Sequence, residues 1–219
     1  MTVVIGTVGA TSCSGNSPAP EASERPKYTA PLPEPSTTTR TVPSVADLPK
    51  HAVSSDKRPE FGVVDTMATG YTGKEFLARL SKDWKLKLDK PVEQEMPDGK
   101  KQTYVNGRSE SGETLSAGYA DHEDMSSLVC RTDSDSSDGL EFLAACTGLD
   151  VAGVDHGKAS SWLRQAKKET DSLYEKRVAA TGNKKEYVVS GVFASGPVVM
   201  VLHRAYRKYS LRILGGAVA

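Results

Sequence analysis

The sequence predicts an α+β fold: a two-layer sandwich with a mainly antiparallel sheet and helices on one face, preceded by a disordered N-terminal linker. Three observations carry this expectation. Two segments, 72–86 and 158–180, repeat apolar residues at helical spacing. Seven short β-rich runs are joined mostly by connections too short for parallel crossovers. Nine of the twelve prolines fall before residue 60, which leaves 61–219 as a single domain long enough to hold a core.

The first helix is expected to open on Thr72-Gly73-Lys74-Glu75, a capping box in which hydroxyl and carboxylate each satisfy a free backbone N–H. Phe76, Leu77, Leu80 and Trp84 then make its apolar stripe. Runs 92–96 and 102–107, separated by Pro97-Asp98-Gly99-Lys100, read as a hairpin. Strands follow at 114–120 and 127–131, and a helix-like run at 140–149. In 158–180, Ala159, Trp162, Leu163, Ala166, Leu173, Tyr174 and Val178 share a stripe that Gly182-Asn183 ends by left-handed C-cap chemistry. Three strands close the chain, at 186–194, 197–206 and 209–214, with Ser195-Gly196-Pro197 turning the first pair into a hairpin.

The N-terminus has the character of an address. Residues 2–10 (TVVIGTVGA) form an uncharged apolar run as long as the hydrophobic region of a signal peptide. The run ends in Ala10-Thr11-Ser12-Cys13, which resembles the lipobox of bacterial lipoproteins. That resemblance implies a signal peptide over 1–13, lipidation of Cys13 and anchoring on the extracytoplasmic face of the cell membrane. No basic residue precedes Arg25, so either the translation start lies upstream of Met1 or the run is not a signal. Residues 14–60 are rich in Ser, Thr, Pro, Ala and Glu. Such a composition cannot bury enough surface to offset ordering entropy, so a disordered linker is expected. As a flexible coil it spans roughly 35–40 Å.

Cys130 and Cys146 stand apart from Cys13 in the globular region. They enclose a loop of about 15 residues, for which chain entropy predicts on the order of 3 kcal/mol from a disulfide. A disulfide requires an oxidising compartment, in agreement with export.

Several chemistries fail on spacing. Lys plus Arg equals Asp plus Glu at 28 each, which offers no bulk electrostatic case for nucleic acid. Asp133, Asp135 and Asp138 evoke a calcium loop, but the sixth position is Asp138 instead of Gly and the twelfth is Ala144. No four ligands have zinc spacing, so no metal and no cofactor is expected. Gly70-Tyr71-Thr72-Gly73-Lys74 lacks the Walker glycine (Ala68) and the following hydroxyl (Glu75). Asp121-His122-Glu123-Asp124 sets a histidine among carboxylates without a nucleophile motif beside it.

The densest basic and aromatic cluster is Arg204, Tyr206, Arg207, Lys208 and Arg212, flanked by His203 and Tyr209. It is a candidate surface for anionic lipid heads or wall polymers, although strand alternation places only some of these residues on one face. The element order and the Tyr-x-Leu-x-Ile-Leu-Gly ending at 209–215 resemble small secreted lipoproteins of actinomycetes. This implies envelope location and no particular activity. The expectation is a non-enzymatic envelope lipoprotein whose domain binds a ligand, polymer or protein partner in a cleft between sheet and helices. The alternative is a secreted hydrolase using His122 or His156 with acidic neighbours.

Overall fold

The computed structural model describes residues 48–59, 61, 65–96, 99, 101–120, 123–133 and 137–216. The signal-peptide segment, Cys13 and the linker up to residue 47 lie outside the described residues. Among those described, the chain order is β1 (Val53–Ser54), a 3-10 turn (Ser55–Lys57), α1 (Lys74–Asp83), β2 (Lys87–Leu88), β3 (Val92–Glu95), β4 (Lys101–Arg108), β5 (Thr114–Tyr119), β6 (Met125–Thr132), α2 (Ser137–Cys146), α3 (His156–Thr181), β7 (Tyr187–Val189), β8 (Phe193–Ser195), β9 (Val198–Ala205) and β10 (Lys208–Gly215). The expected α+β class, antiparallel sheet and two helical segments are all present.

Every strand pairing is antiparallel, in the order β1-β7-β9-β10-β6-β5-β4-β2. β3 lies beside β2 on β4, and β8 beside β7 on β9. The last strand is therefore central. It lies between β6 and β9, and the α2–α3 segment spans the chain between the two halves of the sheet.

Alternation along the strands sorts the side chains. Leu115 of β5, Cys130 of β6, Leu211 of β10 and Leu202 of β9 form one cross-strand row. Ala117, Leu128, Ile213 and Met200 form the next. Both rows are buried at 0–3 % exposure and share one cluster with Phe76, Leu77 and Leu80 of α1, Phe142 and Leu143 of α2, and Ala159 and Leu163 of α3. Each large side chain so buried contributes about 1.5–3 kcal/mol. Edge-to-face contact of Trp84 with Phe142, centroids 5.2 Å apart, joins α1 to α2. Stacking of Trp162 on Phe193 at 5.5 Å joins α3 to β8.

The caps follow the sequence in one helix and depart from it in another. Asp155 caps α3 by accepting from the Lys158 N–H at 2.9 Å, and Gly182 closes it in the left-handed conformation. At α1 the capping box does not form. The cap residue is Gly73, with φ of 62°, and the Thr72 hydroxyl only approaches the Lys74 N–H at 3.4 Å. A side chain at Gly73 would run into Met125, whose terminal carbon would lie 2.3 Å from its Cβ. Close packing against β6, together with the left-handed backbone, demands glycine at the point where a capping box would need an extended residue. The helix also ends at Asp83, three residues before the expected 86.

Two further expectations need correction. The domain boundary at 60/61 falls too late: Leu48 is already buried, and β1 pairs with β7 through Val53 and Val189. The Val192 N–H donates to the Pro49 carbonyl at 2.7 Å, and the Ala52 N–H to Glu169 at 3.2 Å. The expected strand 186–194 is split into β7 and β8. At the break, Ser190 uses its hydroxyl to accept from the Leu202 N–H, and Gly191 lies so close to Lys50 that no side chain fits.

Cys130 and Cys146 are joined, with Cα atoms 6.6 Å apart, inside the usual disulfide range. The bridge pins the last turn of α2 to β6 within the Leu115–Cys130–Leu211 row. Both cysteines are fully buried, and the sequence separation is 16. Replacing both by Ala should lower unfolding stability by about 3 kcal/mol or more by the loop-closure argument, as measured by denaturant titration under non-reducing conditions. An unchanged midpoint would show that packing alone holds α2 in place.

Candidate functional site

The sheet is wider than the helical layer above it. Beyond β5, the strands β4, β3 and β2 continue past α1, and this offset leaves a cleft of about 730 Å³. That size falls within the roughly 300–1,000 Å³ typical of small-molecule sites. Its floor is Thr103, Val105 and Tyr119, which alternation points toward the helices. One wall is Leu77 and Ala78 of α1, and the other is Leu88 and Pro91 of the broken outer strand. Gly107 permits this wall to close in: a Cβ there would come within 2.7 Å of Leu88.

Charge is confined to the mouth, and it is paired. Lys101 bonds Glu93 at 2.6 Å, and Lys74 of α1 bonds Glu123 at 3.5 Å. Two hydroxyls interrupt the apolar interior, those of Thr103 and Tyr119, and Tyr119 is the more deeply buried. It is 8 % exposed, and burial raises the pKa of its phenol, which stays protonated at neutral pH. The Tyr119 hydroxyl has no hydrogen-bond partner among the described residues and lines the cleft. A mainly apolar slot with the Tyr119 O–H as a buried donor and a paired ionic rim suits an apolar molecule carrying a hydrogen-bond acceptor.

Of the residues singled out in the sequence, Cys13 and His122 lie outside the described residues, as do Asp121 and Asp135. Glu123 serves the cleft rim, and Asp124 accepts from the Gly70 N–H at 3.0 Å. Asp133 pairs with Lys208 at 3.3 Å, and Asp138 lies in the first turn of α2. His156 opens α3 with Nδ1 3.3 Å from the Thr147 carbonyl, so its partner is main chain and not a carboxylate.

The basic cluster does not hold together as one surface. Arg204 faces the helices and is 8 % exposed. Its guanidinium bonds Asp171 of α3 and the Tyr209 hydroxyl, and lies over the Tyr174 and Tyr209 rings at 4.7 and 5.1 Å. Tyr209 in turn donates to Asp171 at 2.6 Å. Arg204 is thus a strut between sheet and α3, and its assignment as a binding residue is corrected. Tyr206 and Arg207 stack on each other at 5.8 Å in the exposed β9–β10 turn. Arg212 points to the opposite face from Arg204, because 212 pairs with 201 while 204 pairs with 209. Sequence reasoning missed Leu77, Val105 and Tyr119 as a site. Their alternation and helical spacing were readable, but the lateral offset of the two layers was not.

On the helix-free face, His203 is 6 % exposed, stacks edge-on against Tyr187 at 5.3 Å, and leaves Nε2 without a partner. Burial, then repulsion from Arg212, Arg58 and Arg131, pushes its pKa down to about 3. The unfolded chain takes up this proton from about pH 6.5 downward, while the native state refuses it until about pH 3. Stability is therefore complete above pH 6.5 and falls as pH drops through that window, approaching about 1.4 kcal/mol per pH unit. The carboxylates held low by hydrogen bonds, such as Glu113 and Glu186, add their loss only near and below pH 4.5. Between pH 6.5 and 5 the wild type should lose stability, and His203→Gln should flatten the slope. Equal slopes in denaturant titrations across that range would refute the assignment.

Compared with protein-family models, with curated proteins and with solved structures, the chain matches none.

Proposed function

We propose that this is a cell-envelope lipoprotein whose folded domain binds an apolar small molecule, without chemical turnover, in the cleft between α1 and the outer strands β2–β4. The observation that supports this most is the pairing of an apolar interior with the unpartnered Tyr119 hydroxyl. Leu77, Ala78, Val105 and Leu88 provide area for the apolar part of the ligand, and Tyr119 donates to its acceptor. The rim pairs Lys101–Glu93 and Lys74–Glu123 leave no net charge at the mouth to attract an ion. A lipid on Cys13 holds the domain at the membrane, and the two acyl chains of a diacylglyceryl group make that anchoring stable. The disulfide agrees with an oxidising compartment.

Titration of the full chain with a fluorescent long-chain fatty acid tests the cleft. Saturable one-to-one binding is expected. Ala78→Trp, at an exposed position of α1, should weaken it more than tenfold by filling the slot, and Tyr119→Phe by roughly threefold to tenfold, the worth of one hydrogen bond. Binding indifferent to Ala78→Trp would place the ligand elsewhere. The anchor is tested separately: expressed from its native upstream region, the protein should partition into detergent, and Cys13→Ala should move it to the aqueous phase. A wild type that is aqueous from the start would defeat the anchor and leave the cleft untouched.

A further inference from the structure

The helix-free face carries a second pattern. The strand register lines up His203, Ser210, Arg131, Thr114, Arg108 and Lys87 as successive neighbours across β9, β10, β6, β5, β4 and β2. Directly opposed residues have Cβ atoms about 4.5–5.5 Å apart, so this is a continuous row. Arg212 sits one row over. It is diagonal to Arg131 on one side and to His203 on the other, within reach of long side chains.

No position of β4, β5, β6, β9 or β10 on this face is Asp or Glu; the row and its neighbours supply instead Thr114, Ser116, Ser127 and Ser210. The nearest carboxylates are already engaged, Asp133 by Lys208 at 3.3 Å and Glu110 by Lys87 at 3.5 Å. Arg108, Arg131 and Arg212 have no ion-pair or hydrogen-bond partner among the described residues. Partial burial, followed by repulsion from Arg131 and Arg58, even holds the Arg212 guanidinium below its ordinary pKa. Arg108, Thr114, Arg131, His203 and Ser210 line a cleft of about 540 Å³ together with Lys208 and the paired carboxylates Glu110 and Asp133, and Arg212 lies one row outside it.

Like charges placed close together on a sheet destabilise it, and here Glu110 and Asp133 offset only Lys87 and Lys208, which leaves Arg108, Arg131 and Arg212 without counter-charge among the described residues. Guanidinium forks and hydroxyls are donors that match an oxyanion, with Arg able to bind two of its oxygens at once. A neutral imidazole beside them keeps the group from adding a further repelling charge. We propose that this cleft binds the phosphate group of a phosphate ester, through Arg131 and Arg108 with the hydroxyls of Ser210 and Thr114, and with Arg212 reaching in from the neighbouring row. The site is separate from the apolar cleft, which opens on the other side of the sheet.

The phosphate could belong to a soluble ester or to a lipid headgroup, and the test separates them. The full chain carrying Cys13→Ser, which removes the lipid, is titrated calorimetrically with inorganic phosphate and with glycerol 3-phosphate, at constant ionic strength set by chloride. The same protein is sedimented with vesicles of phosphatidylglycerol and of phosphatidylcholine. Binding of the soluble phosphates identifies a soluble ester, and retention on phosphatidylglycerol alone identifies a headgroup; either supports the site. Arg131→Gln and Arg212→Gln should each weaken the observed binding roughly tenfold, while Arg131→Lys should retain most of it. Lys168→Gln, on α3 and away from the face, should change nothing. No binding to any of the probes, or losses no larger than that of Lys168→Gln, would overturn the proposal. Both arginines are exposed, and an unchanged thermal midpoint of each variant without phosphate excludes unfolding as the cause of a loss.

Discussion

The C-terminal strand has to reach back across the domain, because β10 pairs with β9 on one edge and with β6 on the other. Until residues 208–215 are in place, the sheet is two separate pieces: β2 to β6, and β7 to β9 with β1. The first piece buries one face of its strands, whereas β9 of the second is buried on both, and α2 and α3 lie in the chain between the two pieces. The row Leu115–Cys130–Leu211–Leu202 runs through that junction, and the disulfide ties α2 to it from above. Pairings this distant in sequence return their energy only after loop-closure entropy has been lost. A covalent link that survives unfolding shortens one of those loops.

The same alternation that buries one face of the sheet sets up the other. Moving one residue along β9 or β10 exchanges a buried strut for an open cation: Arg204 reaches Asp171 under α3, while Arg212 turns away from the helices. A one-residue slip of β10 would bring Arg212 into the core and leave Leu211 outside, so the register is fixed by burial on one side alone. The helix-free face can therefore carry unpaired charge without competing with the fold. On the helical side, the cleft arises because three helices do not cover the whole width of the sheet, and the uncovered strands turn Val105 and Leu88 inward beside Thr103 and the Lys101–Glu93 pair.

Much of this was legible in the chain. The apolar stripe of 158–180 gave α3 within two residues at either end, because the stripe and the Gly182 cap are local signals, while the Asp155 cap emerges only in the structure. The hairpin around Pro97-Asp98-Gly99 was readable for the same reason. Segment 48–59 was not, because its order comes from Val53 meeting Val189 and Ala52 meeting Glu169, contacts more than a hundred residues apart that composition does not report. The capping box at Thr72 failed on a tertiary fact, the proximity of Met125 to Gly73. Strand alternation already divides the basic cluster in the sequence, but it does not say which distant strands lie beside it. The register instead joins Arg131, Arg108 and Arg212, which come from three strands, and it separates Arg204 from them.

The central claim is that the offset between the helical layer and the sheet exists to hold an apolar molecule. Native mass spectrometry of the protein taken from the membrane fraction of its own cells, in gentle detergent, tests this most directly. The account predicts a fraction of the protein carrying one additional, non-covalent small molecule. That molecule would be released by organic solvent and identified as apolar with an oxygen acceptor, and Ala78→Trp would abolish the adduct. A mass corresponding only to the lipidated polypeptide, unchanged when the protein is incubated with an envelope lipid extract, would contradict it.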